Sequence, residues 1–457
     1  MKMRSMVIVL LFCSTVLFAQ DGTEKKNVAI TIYNQNLGVV NETRSIFIPK
    51  NLSDVHISDI PTSINPTSVH FKFDGEVYEQ NYRYDLVSMA KLLQKYIDKQ
   101  ITIIKGDVKE SGTLLSIQDR SLIIKTGNGL KVFPDFNQYQ ITVDELPSGL
   151  LTKPTLVWKV FSKNEGKQDI DISYSVRDIK WDAKYVAVLN DEETQMDFNS
   201  WVSIDNNSGG NYENAKLKLI AGDVNITRES GDFEVFTEPN AARTQENPLM
   251  AKRPTFEEEK FFEYHIYELD QPTTILNNEI KQVSLFNIQK VKVQKKYSCF
   301  QDYSQNSDEK KNVNVLIYFK NEKQNGLGIP LPAGMISVFK TRNNTAELIG
   351  EDNIQHTPKD EEIELNLGKA FDITYTEKLT SSNKSGEKSY VDQYILEFFN
   401  HTDKEIEIEV NRWAPGDWVI SDSNYNFEKK DAHNVRFKIK VPTNGTNKLN
   451  YTIRYSI

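Results

Sequence analysis

Cysteine is almost absent from this sequence: two residues in 457, Cys13 and Cys299. Cys13 lies in the apolar run at the start of the chain. A chain processed after Ala19 therefore keeps Cys299 alone and has no intramolecular disulfide. Stability must then come from apolar burial, for which 39% hydrophobic residues are adequate; the length suits roughly three domains of ordinary size. Long apolar runs are equally scarce. One occurs, Met6 to Phe18, behind Lys2 and Arg4 and ahead of Ala19. It is shorter than the ~18 residues of a spanning helix and reads as a secretory signal peptide over residues 1–19. Leu11-Phe12 before Cys13 lacks the small residue that a lipidated cysteine requires. With no second such run, the processed chain is expected to have no transmembrane segment and to be exported, periplasmic or extracellular. Positive charge is also short. The formal net charge is −9, and losing Lys2 and Arg4 with no acid makes it −11, which argues against nucleic acid or anionic lipid as partner.

Recognisable catalytic spacing is missing too. There is no G-x-S-x-G, no phosphate-binding loop and no dinucleotide fingerprint; Gly326-Leu327-Gly328 runs into Pro330 and suits a turn. The histidines, His56, His70, His265, His356, His401 and His433, never fall within five residues of one another, so helical zinc spacing is absent. The acidic cluster Glu351, Asp352, Asp360, Glu361, Glu362 and Glu364 lacks a calcium-loop pattern and reads as a solvated strand face beside Ile363 and Leu365. Cys299, between Tyr297 and Phe300, reads as a small strand residue, with no histidine nearby to activate it. No catalytic, cofactor or metal residues are named from the sequence, and no cofactor is expected.

What is present is period-2 alternation. Val28, Ile30 and Ile32, then Ile46 and Ile48, Val55 and Ile57, and Val69, Phe71 and Phe73 mark short strands between turn clusters. In Asp85 to Asp98 the period changes. Leu86, Met89, Ala90, Leu93, Tyr96 and Ile97 form a helical stripe. Five short strands follow, so 85–146 reads as an inserted helix plus a small SH3- or Sm-like barrel. The flanks, 20–84 with 147–236, read as one N-terminal β-sandwich, with Trp181 and Trp201 as core fillers. Residues 237–260, with three prolines and no periodicity, read as a linker. Residues 261–370 form a central β-region and 371–457 a C-terminal Ig-like sandwich. Trp413 and Trp418 bracket a turn at Ala414 to Asp417; they pin it or offer a stacking surface. The predicted class is mainly β: several antiparallel sandwiches with one inserted helix and barrel.

One stretch organises the rest. GLGIPLPAGMISVFKTRNNTAELIGEDNIQHTPKDEEIELNLG, Gly326 to Gly368, reads as strand, turn, strand, turn, strand. Together with SYSVRDIKWDAKYVAVLN from Ser173, FEYHIYELDQPTTILNNEIKQVSL from Phe262, and the N-terminal YNQNLGVVNETRSIFIP, it resembles the bacterial family called domain of unknown function 4139, which includes mucoidy-inhibitor-like envelope proteins. That resemblance implies β-rich modules and export, and carries over no activity or catalytic residue. The expected function is non-enzymatic binding or scaffolding at the cell envelope, with a protein or envelope component as partner. The alternative is a hydrolase acting on envelope polysaccharide or peptide through two converging carboxylates.

Overall fold

The alternation carries directly into three dimensions. In the computed structural model, which describes residues 24–222, 224–225, 256–261, 263–301, 307–342 and 345–456, Ile30, Ile32, Val40, Ile46 and Ile48 all point inward and are buried. The expected signal peptide, residues 1–19, and most of the expected linker lie outside the described residues. Among the described residues the fold is mainly β, with several packed sheets and one short α-helix. No described helix is long and apolar enough to cross a membrane.

The two flanks of the insertion build one body. Glu24–Tyr33 and Leu37–Ile48 form a hairpin; Gly166–Val176 joins its outer side and Tyr212–Ala221 its inner side. Asn51–Ile57 and Glu76–Arg83 sandwich Thr155–Ser162 in a second, three-stranded sheet. Phe71 stacks on Trp158 with ring centroids 3.6 Å apart, tying the two sheets together.

Between these flanks the chain makes a unit with its own core. Leu93, Tyr96, Ile101, Ile103, Leu114, Leu122, Ile124 and Phe136 are buried together. Five strands, ordered Gln140–Thr142, Gln100–Lys105, Val108–Gln118, Ser121–Thr126 and Gly129–Phe133, curl into a half-barrel. Phe133 and Tyr139, at opposite ends of that sheet, meet edge to face at 5.1 Å. The helix is shorter than its stripe suggests, Met89–Lys95, with Ser88 as its N-cap. Leu86 pairs with Leu151 instead, and the Val87 amide donates to the Leu151 carbonyl, so strand-like pairing claims the first turn. Met89 is consequently 45% exposed.

The strand pairing departs from the sequence reading in four respects. Phe256–Phe261, taken as the end of the linker, is a strand paired with Tyr264–Leu269. Residues 261–370 do not form a region of their own. Tyr264–Leu269 extends the first sheet; Glu279–Lys292, Gly334–Arg342 and Thr345–Ile354 build a central sheet on Ile179–Leu189 and Gln195–Asn206; Gln294–Gln301 and Ser307–Lys320 enter the last sheet. Strand Glu362–Lys384 runs unbroken through position 370, where the sequence suggested a boundary. Pairing is not wholly antiparallel: Glu24–Tyr33 with Tyr212–Ala221, Ile179–Leu189 with Gly334–Arg342, and Gln294–Gln301 with Ile406–Trp413 are parallel. In each case distant chain segments supply the neighbours, so no hairpin turn dictates direction.

Among the described residues the last sheet has nine strands, from Trp418–Ser423 at one edge through Gly445–Ser456, Ser389–Asn400 and Glu362–Lys384 to Asn434–Val441 and Phe427–Lys429 at the other. It folds over a single core that includes Val313, Phe398, Val410, Phe437 and Ile453. Trp201 is a further correction. On strand Gln195–Asn206 its neighbours Ser200 and Val202 face inward, so Trp201 faces out and is 41% exposed, whereas Trp181 is fully buried.

Candidate functional site

The C-terminal sandwich holds polar groups where its alternation calls for apolar ones. Along Glu362–Lys384 the inward positions run Ile373, Tyr375, Glu377; along Ser389–Asn400 they run Asp392, Tyr394, Leu396; along Ile406–Trp413 they run Ile408, Val410, Arg412. Gln301 follows Cys299 inward on the neighbouring strand, while Phe300 between them is 55% exposed. Gln301, Glu377, Asp392 and Arg412 are each at most 2% exposed.

Their geometry forms one connected cluster. The Gln301 side-chain amide donates to Glu377 Oε1 at 2.8 Å. The Tyr451 hydroxyl donates to Gln301 Oε1 at 3.0 Å. Lys311 Nζ lies 3.9 Å from Glu377 Oε2, and Arg412 Nη1 lies 4.0 Å from Glu377 Oε1. The Arg412 guanidinium sits 4.3 Å over the Tyr394 ring, and the Tyr455 hydroxyl donates to Asp392 Oδ2 at 2.8 Å. Burial pushes the Glu377 carboxyl above its ordinary range, against the pull of Gln301, Lys311 and Arg412. Burial also pushes up the Cys299 thiol and the Tyr451 hydroxyl. Among the described residues no protein donor lies within hydrogen-bond distance of Glu377 Oε2 or Asp392 Oδ1, which is costly for a buried carboxyl. A carboxyl there is suited to exchanging a proton with a neighbour.

The stretch that organises the sequence forms a second focus. The corner Pro330 to Pro332 is clamped from two other segments: the Tyr185 hydroxyl donates to the Pro332 carbonyl at 2.7 Å, and that of Tyr267 to the Pro330 carbonyl at 3.1 Å. Trp181 packs edge to face on Tyr267 at 6.2 Å. Strand Gly334–Arg342 then enters the central sheet beside Ile179–Leu189. Gly334 is required there, because a Cβ would stand 2.1 Å from the Ala183 carbonyl oxygen. The segments quoted for the resemblance thus pack on one another. His356 accepts from the Ala333 amide at 3.1 Å and serves this corner.

The remaining sequence candidates do not converge. Glu351 accepts from Ser337 and Asp352 from the Asn366 amide, as neighbours on strand Thr345–Ile354, while Glu364, on Glu362–Lys384, accepts from Tyr318. No group of three or more metal-ligating side chains occurs among the described residues. His56, His70 and His401 are exposed, and His265 pairs with Glu258 at 2.7 Å. Trp413 stacks on His433 at 6.0 Å, and Trp418 Nε1 donates to the Ala432 carbonyl at 2.7 Å, so both indoles are engaged in holding the turn they bracket. A pocket of about 400 Å³ lies at the folded sheet's edges, lined by Ile420, Asp422, Tyr425 and Phe427 among others; Asp422 is its one carboxylate.

One surface is left open. Strand Gly129–Phe133 is an edge of the half-barrel sheet, and on it Leu130 and Val132 are 65% and 62% exposed. They alternate with Lys131, which pairs with Glu110. Val108, two residues from Glu110, is 61% exposed. No family model matches the chain, and no curated protein matches it.

Proposed function

We propose that this chain is an exported, non-enzymatic β-module protein that binds or scaffolds at the cell envelope, periplasmic or extracellular, and that its half-barrel takes up an extended segment of a partner protein as an added strand. The observation that carries this is the open edge Gly129–Phe133 with Leu130 and Val132 more than half exposed. An edge strand presents a row of backbone donors and acceptors, and exposed apolar side chains beside it supply what a partner strand would bury. The separate core of this unit, attached where Asp85 and Val87 hydrogen-bond Leu151, suits a presenting module. Export is supported by the apolar run behind Lys2 and Arg4. Kinship with the domain of unknown function 4139 family, and an Ig-like relationship of the C-terminal sandwich, belong to the same proposal; with no family model matched, the kinship rests on the quoted stretches themselves.

The test is crosslinking in the native cell, comparing the parent chain with Leu130→Lys/Val132→Lys. Recovery of one envelope protein by the parent and its loss with the double variant is the expected result. Equal recovery by both removes the half-barrel edge from the account. Turnover of a defined glycan or peptide by the purified chain, abolished by changing one carboxylate, would replace it with the hydrolase.

A further inference from the structure

We propose that the C-terminal sandwich forms an intramolecular isopeptide bond between Lys311 and Gln301, with Glu377 as the catalytic residue. Three observations assemble this site. The first is register. Strands Gln294–Gln301 and Ser307–Lys320 pair antiparallel from Gln294 opposite Tyr318 to Ser298 opposite Asn314, and Gln301 and Lys311 each stand three residues past the end of that ladder. Equal steps from the last pair put two side chains on the same face of their strands. Cys299 and Val313, two residues away on each strand, are both buried, so this is the inward face. The second is convergence on one carboxyl: Glu377 Oε1 holds the Gln301 amide nitrogen at 2.8 Å, and Glu377 Oε2 faces the Lys311 amine at 3.9 Å. The third is polarisation: the Tyr451 hydroxyl donates to the Gln301 carbonyl oxygen at 3.0 Å, where negative charge would develop during attack.

The chemistry closes without a co-reactant. Glu377 takes a proton from the Lys311 ammonium, and the neutral Nζ attacks Gln301 Cδ. The carbonyl oxygen becomes an oxyanion held by the Tyr451 hydroxyl. The bond from Cδ to Nε2 then breaks as the departing nitrogen is protonated. Lysine ammonium plus glutamine carboxamide gives a secondary amide plus one ammonium ion, and the Glu377 carboxylate is restored. Burial of Gln301, Glu377 and Tyr451 strengthens the hydrogen bond to the oxyanion, while the Lys311 side chain, 28% exposed, reaches in from the rim. The bond would lock two adjacent strands of a sheet whose core also carries the strain of buried charge. It also fits an exported chain that has no disulfide open to it after processing.

Intact-mass measurement and peptide mapping of the purified folded chain decide the matter. The parent protein is expected at a mass lower by one ammonia than its sequence requires, with a branched peptide joining Lys311 to Gln301. Lys311→Arg and Glu377→Gln are expected at full mass with unbranched peptides, and near-ultraviolet circular dichroism shows whether each remains folded. Should Glu377→Gln fail to fold, Tyr451→Phe, which keeps the ring and removes the oxyanion donor, is expected to leave a mixture of full and reduced mass. A parent protein at full mass with both peptides unbranched overturns the proposal, and complete cross-linking in a folded Glu377→Gln variant overturns the role of Glu377.

Discussion

Arg44→Ala tests how the N-terminal body tolerates charge in its core. Arg44 is wholly buried on strand Leu37–Ile48. Its Nε donates to Glu42 Oε1 at 2.7 Å, its Nη1 to the Ser58 carbonyl at 2.8 Å and its Nη2 to the Asp59 carbonyl at 3.2 Å. Truncation strands the Glu42 carboxylate, 4% exposed, and two backbone carbonyls. Breaking a buried pair from one side costs about 3–5 kcal/mol, a large part of the ~5–15 kcal/mol that holds a domain together. Most of that cost is the stranded charge rather than the lost bonds. Adding Glu42→Gln to Arg44→Ala is therefore expected to recover about 1–3 kcal/mol, because an amide still accepts from its surroundings but carries no charge. Urea titration followed by the fluorescence of buried Trp158 and Trp181 reports this body. With a slope of about 2–3 kcal/mol per M, the single variant should unfold at roughly 1–2.5 M less urea. A loss under about 1 kcal/mol, or a double variant no better than the single, would refute the argument that charge burial governs the site.

Three further outcomes are expected. Gly334→Val, whose Cβ would meet the Ala183 carbonyl oxygen at 2.1 Å, should cost about 3 kcal/mol or more, read as a drop in Tm, since neither backbone can move without breaking the parallel pairing. Cys299, buried and with its thiol pushed up by desolvation, should resist thiol reagents in the folded chain and label fully in denaturant; labelling at the rate of a free thiol under native conditions would contradict its placement. Burial raises the Glu193 carboxyl, but hydrogen bonds from Lys295 at 2.8 Å and Lys340 at 2.6 Å outweigh that and hold it below its ordinary 4.5. A depressed carboxyl stabilises above its unfolded value and loses that contribution as pH falls below 4.5 through the folded one. Glu193→Gln should accordingly flatten the acid limb of the stability curve and, because Glu193 also helps hold the Lys295 ammonium above its ordinary range, flatten the far alkaline limb as well.

Strand positions, the half-barrel and the mainly β class were legible in the residues themselves, because a strand's two faces impose a period of two that burial turns into visible alternation. The same parity also held the polar cluster in plain view: Glu377 continues Ile373 and Tyr375, Asp392 precedes Tyr394 and Leu396, and Arg412 ends Ile406, Ile408, Val410. A charged residue on an apolar parity is the signal, and Arg44 between Val40 and Ile46 repeats it. Which of those residues meet is another matter. Alternation is local and says which way a side chain points, not which strand lies beside it. Lys311, Gln301, Glu377 and Tyr451 come together through pairings that no hairpin turn specifies for the whole set. The parallel neighbours, the dispersal of residues 261–370 over three sheets and the continuity of Glu362–Lys384 were likewise decided by packing. Sheet partners are chosen by burying complementary faces over long sequence separations, a free energy shared by the whole molecule rather than written in any one stretch.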